Sequence, residues 1–221
     1  MSDVESQAAE IVRVLDLASV IVFAITGALV ASRKQMDIVG FLWLGVITGV
    51  GGGTLRDLLL GAPVFWIVDQ TPLALCLCAA AVVHFSAHLV ASRYRFLLYL
   101  DAFGMALVTT VGTAKALDMG TGALVAVGMG VITAAVGGIL RDLLGQEPSI
   151  LLRRDIYVSA AVLGSVTYVL ADALGLPGPA TTLIAVCTGF GLRACAIRFD
   201  LFLPIFRPRP GRMPGHRGEV R

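Results

Sequence analysis

Seven long apolar runs, separated by short polar stretches, dominate the chain. Each run is close to the roughly 20 residues that an α-helix needs to cross a hydrocarbon core about 30 Å thick. The runs do not alternate apolar and polar residues with a period of two, which disfavours a membrane β-barrel. The runs are Ile11–Ala31, Met36–Leu60, Pro72–Val90, Phe96–Leu117, Thr121–Leu144, Tyr157–Leu174 and Ala180–Ile197. The pattern predicts an all-α integral membrane protein with seven transmembrane helices.

Composition supports lipid as the solvent. Hydrophobic residues make up 57% of the 221 residues and charged residues 14%, whereas a soluble domain usually has about 25% charged residues. A nucleic-acid partner is not expected, because no polar domain with a basic face is present. The cysteines form no C-x-x-C pair and are interpreted as small apolar residues. These are Cys76, Cys78, Cys187 and Cys195.

Catalysis and metal binding find little support in the residues. No H-E-x-x-H, G-x-S-x-G or P-loop motif occurs, so the chain is not expected to be an enzyme or to need a cofactor. His84 and His88 stand four residues apart in the third run. That spacing suits a metal ion, but no third ligand is evident, and an interfacial pair is the favoured interpretation. Trp43 and Trp66 fit lipid contact or interface anchoring.

Basic residues between the runs predict the orientation. They follow the first and third runs, precede the sixth and crowd the C-terminal tail. They include Arg33, Lys34, Arg93, Arg95, Arg153, Arg154, Arg207 and Arg209. With seven crossings all of these lie on one side, which the positive-inside rule places in the cytoplasm. The N-terminus is then predicted outside and the C-terminus inside.

The chain contains an internal repeat. Residues 45–59 (GVITGVGGGTLRDLL) reappear as residues 130–144 (GVITAAVGGILRDLL), with 11 of 15 positions identical at an offset of 85. The same offset pairs Asp16 with Asp101, Gly27 with Gly112 and Pro63 with Pro148. A unit of three crossings must enter the membrane from the opposite side in its second copy, as in many proteins that move solutes.

This repeat predicts the domain organisation. A tail of residues 1–10 precedes transmembrane repeat 1, residues 11–92, with helices 1–3. The inverted repeat 2, residues 93–176, holds helices 4–6. The extra helix 7 covers residues 177–198, and a basic disordered tail covers residues 199–221.

Glycines interrupt the second and fifth runs. They are Gly51, Gly52 and Gly53 in the first copy and Gly137 and Gly138 in the second. Glycine is about 1 kcal/mol worse than alanine as a helix former, so a kink or break is predicted there. A break would free backbone carbonyls, which must face protein or a water-filled path. Close helix packing at small residues is an equally weighted interpretation.

Charged residues follow each set of glycines. Arg56-Asp57 and Arg141-Asp142 end the second and fifth runs, whereas Asp16 and Asp101 stand at the same membrane levels in the first and fourth. A charge near hydrocarbon without a partner costs several kcal/mol. We therefore expect the ion pairs Asp16–Arg56 and Asp101–Arg141, one at each mouth of a pathway. Snorkelling arginines and hydrated helix ends are the alternative.

Three further polar residues are candidates for the pathway. Thr48 and Thr133 lie one turn before the glycines, where their oxygens suit a dehydrated monovalent cation. Their hydroxyls could instead bond to their own helices. Lys115, near the outer end of the fourth run, is either a gate or screening charge, or a snorkelling anchor.

The motif Gly-Gly-Gly-Thr-Leu-Arg-Asp-Leu-Leu-Leu-Gly at 51–61, its second copy and the three-plus-three-plus-one layout resemble the bacterial trimeric intracellular cation (TRIC) channel family. The resemblance implies a homotrimer in the bacterial inner membrane with one pore in each subunit. It implies permeant potassium and sodium ions, and a pore lined by helices 1, 2, 4 and 5. The glycines of both copies would lie at the pore kinks, with Arg56, Asp57, Arg141 and Asp142 following in the matched motif.

The leading interpretation is a passive potassium-permeable cation channel. The alternative is a secondary transporter of a small solute, in which the inverted repeats give alternating access. A purely structural membrane protein is the third class, and the paired charges at matched depths in both repeats argue against it.

Overall fold

The fold is built from α-helices. A computed structural model describes residues 3–90, 94–147 and 156–204, without the side chains of 3–9, 87–90 and 94–95. Within these residues the helices are α1 (Asp3–Arg33), α2 (Ile38–Leu59), α3 (Phe65–Val68), α4 (Thr71–Val90), α5 (Tyr94–Asp118), α6 (Ala123–Leu144), α7 (Val158–Ala173) and α8 (Gly178–Arg198). Every predicted run corresponds to one long helix, and α3 is a single additional turn.

Five of these helices are long and apolar enough to cross a membrane: α1, α2, α5, α6 and α8. The other two long helices, α4 and α7, are apolar over the shorter stretches Thr71–Ser86 and Val158–Ala173. Large apolar side chains face outward on several of them, for example Trp43, Phe85, Leu124 and Leu183, which are 64–86% exposed. Such a surface is suited to lipid rather than water, so the chain is a membrane protein.

The core surrounds α1. This helix packs against α2, α4, α5 and α8, and it does so through small residues such as Ala24 and Ala28, which are fully buried. Small side chains allow neighbouring backbones to approach closely, and the resulting van der Waals packing favours helix association in lipid.

Turn geometry recurs at the 85-residue offset. Gln35 and Gly120, in the turns before α2 and α6, have φ angles of 54° and 76°. Gly61 and Gln146, in the turns after these helices, have φ angles of 67° and 50°. All four therefore adopt the left-handed conformation that reverses the chain after a helix. The two halves share local backbone geometry as well as sequence.

The helices α2 and α6 cross in direct backbone contact. A Cβ atom placed on Gly52 would lie 2.0 Å from the carbonyl oxygen of Thr133, and one on Gly137 would lie 2.7 Å from that of Thr48. Because the earlier residue of one helix meets the later residue of the other, α2 and α6 run in opposite directions. Only glycine fits at these two positions.

Of the kink or break predicted at the glycines, the break is wrong. Both α2 and α6 continue as α-helix through Gly51, Gly52 and Gly53 and through Gly137 and Gly138. The low helix propensity of glycine is measured in water, where an exposed backbone has other partners. Here close contact between the two helices favours glycine, and intact helices keep the backbone carbonyls bonded. The alternative interpretation, close packing, therefore accounts for the contacts at Gly52 and Gly137.

The histidines, cysteines and basic residues singled out in the sequence either pack in ordinary ways or lie outside the described residues. The ring of His84 stacks edge-on against Phe41, with 4.7 Å between centroids, and the side chain of His88 lies outside the described part. The four cysteines are free thiols. The basic residues after Pro204, together with Arg93, Arg153 and Arg154, also lie outside the described residues.

Candidate functional site

The first charge cluster consists of Asp16, Arg56, Asp57 and Lys115. Asp57 accepts hydrogen bonds from Arg56 Nε at 2.7 Å and from Lys115 Nζ at 2.8 Å. Arg56 Nη1 lies 3.8 Å from Asp16 Oδ1. Arg56 and Asp57 are almost fully buried, whereas the side chains of Asp16 and Lys115 are 22% and 30% exposed. The cluster therefore opens to the surface on the side of Asp16 and Lys115.

The short helix α3 covers this cluster. The backbone N–H of Phe65 donates to Asp57 Oδ2 at 2.9 Å, and the Phe65 ring lies 5.6 Å from the Arg56 guanidinium. The Trp66 indole N–H donates to Thr54 Oγ1 at 2.8 Å. These contacts hold α3 against the C-terminal end of α2.

An exposed ion pair at the same end of the protein joins α1 to the segment between α3 and α4. Arg13 Nη2 lies 3.2 Å from Asp69 Oδ2, and both side chains face solvent. Hydrogen bonds from Thr71, assisted by the charge of Arg13, hold the pKa of the Asp69 carboxyl below its usual range. Asp69 is therefore ionised at neutral pH.

The second charge cluster consists of Asp101, Arg141 and Asp142. Arg141 Nη1 donates to Asp101 Oδ1 at 2.5 Å and to Thr26 Oγ1 at 3.2 Å, and Arg141 Nε donates to Asp142 Oδ1 at 3.0 Å. All three charged side chains are buried. Since Thr26 belongs to α1 and Arg141 to α6, this cluster joins the two halves.

The extra helix α8 reaches the second cluster through an aromatic ring. The guanidinium of Arg193, a buried residue of α8, lies 5.6 Å from the Tyr157 ring centre. The Tyr157 hydroxyl donates to the carbonyl oxygen of Ala134 in α6 at 3.2 Å. The position of α8 is thereby coupled to α6 one turn before Gly138.

Differences at equivalent positions make the two clusters unequal. Thr26, which accepts from Arg141 Nη1, corresponds to Val111 at the 85-residue offset. Valine has no acceptor, and among the described residues Arg56 Nη1 is buried without a hydrogen-bond partner. Lys115 corresponds to Val30, so the first cluster contains an ammonium group that the matching position near the second cluster lacks.

Thr48 and Thr133 lie between the clusters at the crossing of α2 and α6. Each hydroxyl bonds back to its own helix, to the Leu44 carbonyl at 2.6 Å and to the Met129 carbonyl at 2.5 Å. Both residues are about 1% exposed. The crossing is thus tightly packed in this conformation.

The clusters are well separated. The contacts of Gly52 with Thr133 and of Gly137 with Thr48 fix the register of the crossing. At 1.5 Å per residue, Arg56 and Arg141 lie about 18 Å apart along the helix axis. The crossing therefore stands midway between two buried groups of charges.

The structure brings together both predicted pairs, Asp16 with Arg56 and Asp101 with Arg141. Sequence reasoning missed the bond from Lys115 to Asp57 and the contribution of Phe65. It also missed the ion pair between Arg33 and Glu147, which links α1 to the turn after α6. A comparison of depths would have found Lys115, since it stands at the level of Arg56 and Asp57.

Known proteins resemble the chain along most of its length. A family model described as a glycine transporter matches twice, at residues 13–88 and 98–173, which is the offset of the internal repeat. A TRIC trimeric intracellular cation channel orthologue from Rhodobacter sphaeroides has a solved structure with a TM-score of 0.84 and 48% sequence identity, covering 86% of this chain and 99% of that one. The chain belongs to the bacterial TRIC family.

Two further relatives of this TRIC family member are named as membrane proteins without a stated function. The UPF0126 inner membrane protein YadS of Escherichia coli is 37% identical over 87% of this chain and 94% of its own length. The UPF0126 membrane protein YvgT of Bacillus subtilis is 32% identical over 86% of this chain and 94% of its own. The similarity thus covers nearly the whole helical part.

Proposed function

We propose that the chain is a passive channel for monovalent cations, permeable to potassium, with one pore per subunit between α1, α2, α5 and α6. The observation that carries the proposal is the arrangement of two buried charge clusters at opposite ends of the α2–α6 crossing. Arg56 and Asp57 lie in the first cluster, and Arg141 and Asp142 in the second. Charged groups inside a membrane protein generally line ion pathways. Solved relatives described as cation channels support the same function.

The proposed architecture is an inverted repeat of three plus three crossings with α8 as a seventh. In this arrangement α1, α2 and α4 form repeat 1, and α5, α6 and α7 form repeat 2. The opposite directions of the equivalent helices α2 and α6 support it, as do the repeated turns. The N-terminus is outside and the C-terminus is in the cytoplasm, so the first cluster is the outer one.

Conduction requires α2 and α6 to move apart where they cross, because their contact is tightly packed in this conformation. Cations would pass Thr48 and Thr133, whose oxygens retain lone pairs beside the bonds to their own helices. The pore kinks belong at Gly51, Gly52, Gly53, Gly137 and Gly138, because residues without side chains let the two helices bend and separate. Lys115, which holds the otherwise exposed side of Asp57, is the proposed outer gate.

The assembly proposed for the channel is a homotrimer in the bacterial inner membrane, surrounded by lipids. A relative described as a trimeric channel and another named an inner membrane protein support this assembly and location. Potassium and sodium are the permeant ions, and no bound cofactor is required.

Potassium flux from proteoliposomes tests the channel. Liposomes loaded with potassium chloride in an impermeant external cation should develop a negative internal potential only when they contain the protein. The variants T48V and T133V should slow this flux about tenfold or less, since each loses a single oxygen ligand worth about 1 kcal/mol. T167V is the matched control, because that hydroxyl also bonds back to its own helix but is exposed on α7. Equal fluxes with and without protein would contradict the proposal.

A second candidate function is secondary transport of a small amino acid. The description of the matching family model as a glycine transporter favours it, and an inverted repeat suits alternating access. Saturable counterflow of labelled glycine into the same liposomes, without a potassium-dependent potential, would identify the transporter. Absence of counterflow would reject it.

A further inference from the structure

The four helices around the proposed pore form a ring. Helix α1 packs against α2 and α5, and α6 packs against the same two helices. Helix α1 therefore stands opposite α6, and α2 stands opposite α5. A contact between two opposite helices must cross the space through which ions would pass.

Helices α1 and α6 meet across the ring at the end that carries Arg141. Thr26, Val30 and Arg33 are spaced four and three residues apart along α1, so they share one face of the helix. This face meets the last turn of α6 and the turn that follows it. We call this the inner contact; it joins Thr26 to Arg141, Val30 to Gly145 and Arg33 to Glu147.

The inner contact is tightly packed. A Cβ atom placed on Gly145 would lie 2.6 Å from Val30 Cγ1, and Val30 is 1% exposed. Thr26, which is fully buried, accepts a hydrogen bond from Arg141 Nη1 at 3.2 Å. An ion cannot pass between α1 and the end of α6 in this conformation.

The equivalent ion pair cannot form at the other end of the ring. At the 85-residue offset Arg33 and Glu147 correspond to Asp118 and Ala62, which do not attract each other. The bridge at that end is the ammonium group of Lys115, whose side chain is 30% exposed. The inner contact therefore belongs to one end of the ring.

Helix α1 can leave α6 without breaking the ion pairs of the second charge cluster. Arg141 would keep Asp101 and Asp142, which belong to α5 and α6. The Thr26 hydroxyl would keep its bond to the Phe23 carbonyl of its own helix, at 2.9 Å. Separation thus leaves no buried charge without a partner, which is the costly outcome.

The two other parts of the inner contact are also weak. The side chains of Arg33 and Glu147 are 27% and 14% exposed, and an ion pair that water reaches contributes little. Gly145 has no side chain, so its separation from Val30 exposes a single apolar side chain. The contact can therefore open and close reversibly.

We propose that the inner contact is the cytoplasmic gate of the channel, and that α1 moves away from α6 to let ions pass. The gate rests on the proposed function, because it closes the pore placed between α1, α2, α5 and α6. It stands at the opposite end of the pore from Lys115.

A disulfide across the inner contact tests the gate. Because Val30 Cγ1 is one bond from Cβ, the Cβ atoms of V30C and G145C come within about 4 Å, a distance that a disulfide spans. Alanine first replaces the exposed thiols Cys78, Cys187 and Cys195. Oxidation should abolish the single-channel currents of V30C/G145C, and a reductant should restore them.

A disulfide within one half is the matched control in the same background. A Cβ atom on Gly49 would lie 2.5 Å from Cys76 Sγ, so oxidised G49C should link α2 to its neighbour α4 without crossing the ring. Its currents should persist after oxidation. Mass spectrometry of the oxidised proteins verifies both cross-links.

The ion pair of the inner contact can be tested without cysteines. E147Q should raise the open probability by up to about fivefold, as expected for a partly exposed pair. R33E/E147R, which exchanges the two charges, should return the open probability toward the parental value. An unchanged open probability in E147Q, or one that stays raised in R33E/E147R, would overturn the role of this pair in the gate.

The gate and the channel have separate outcomes. Reversible loss of current in V30C/G145C, with currents intact in oxidised G49C, supports the gate. Currents that persist in fully cross-linked V30C/G145C, or that vanish equally in oxidised G49C, would overturn the gate and leave the channel in place. No current in any reduced protein would overturn the channel, and the gate with it.

Discussion

At the scale of single residues, the two aspartate–arginine pairs are similar in sequence but differ in how firmly they are held. Asp101 is buried and bonded to Arg141 at 2.5 Å, whereas Asp16 is partly exposed and 3.8 Å from Arg56. Repeated sequence predicted both pairs. It could not predict their different geometry, because that depends on Thr26 and Lys115, which belong to the opposite half.

The variants D101N and D16N should therefore differ in stability. In D101N the buried Arg141 loses its charged acceptor at Nη1 but stays paired with Asp142, so the free energy of unfolding should fall by about 1.5–3 kcal/mol, the contribution of a hydrogen bond to a charged group. D16N should cost about 1 kcal/mol or less, since a loose, partly exposed pair contributes little. Thermal unfolding in detergent measures both. Equal losses of stability in D101N and D16N would show that the distance and burial of an ion pair do not determine its contribution to the free energy of unfolding.

Lys115 offers a second test at this scale. Lys115 bonds to Asp57 at the partly exposed side of the first cluster. If Lys115 is the proposed outer gate, K115M should raise the open probability. The increase should be up to about fivefold, because a partly exposed ion pair contributes about 1 kcal/mol at most. R13Q is the control, since Arg13 forms an exposed pair with Asp69 at the same end. If R13Q and K115M act alike in single-channel recordings, Lys115 is only a surface charge.

At the scale of helices, the central element is the contact between α2 and α6. Each of the seven long helices coincides with one apolar run, because lipid thickness sets the length of a crossing, but α1 begins at Asp3, eight residues before the predicted Ile11. Helix propensity wrongly predicted a break at the glycines, because propensity takes no account of a neighbouring helix. Gly52 and Gly137 lie against backbone carbonyls of the opposite helix, and only the three-dimensional structure shows this contact. The single turn α3 was missed because four residues carry no periodic signal.

Alanine substitutions test this contact. In G52A the new methyl group would lie 2.0 Å from a backbone oxygen, which cannot move aside cheaply. We expect a loss of about 1–3 kcal/mol of stability or more, as in other overpacked cores. In G138A the nearest atom is 3.8 Å away, at the end of Arg141, so this matched glycine should tolerate alanine. Similar melting temperatures for G52A and G138A would rule out the close crossing.

At the scale of the whole molecule, two copies of one unit build a bundle in which each half completes the other's charge cluster. Lys115 of the second half reaches Asp57 of the first, and Thr26 of the first reaches Arg141 of the second. The all-helical class, the sequence repetition and the family could be predicted from sequence, because they depend on local pattern. The contacts between halves were not predicted, because the comparison of the two copies covered only positions that are identical in both, and Thr26 and Lys115 are replaced by Val111 and Val30.

Single-channel recording of the purified protein in a planar bilayer, under a potassium chloride gradient, tests the central claim most directly. The account predicts discrete current steps whose reversal potential lies toward that of potassium. A silent bilayer, together with saturable counterflow of glycine into liposomes from the same preparation, would contradict it. The proposed inverted repeat would then alternate access to a bound solute instead of conducting ions.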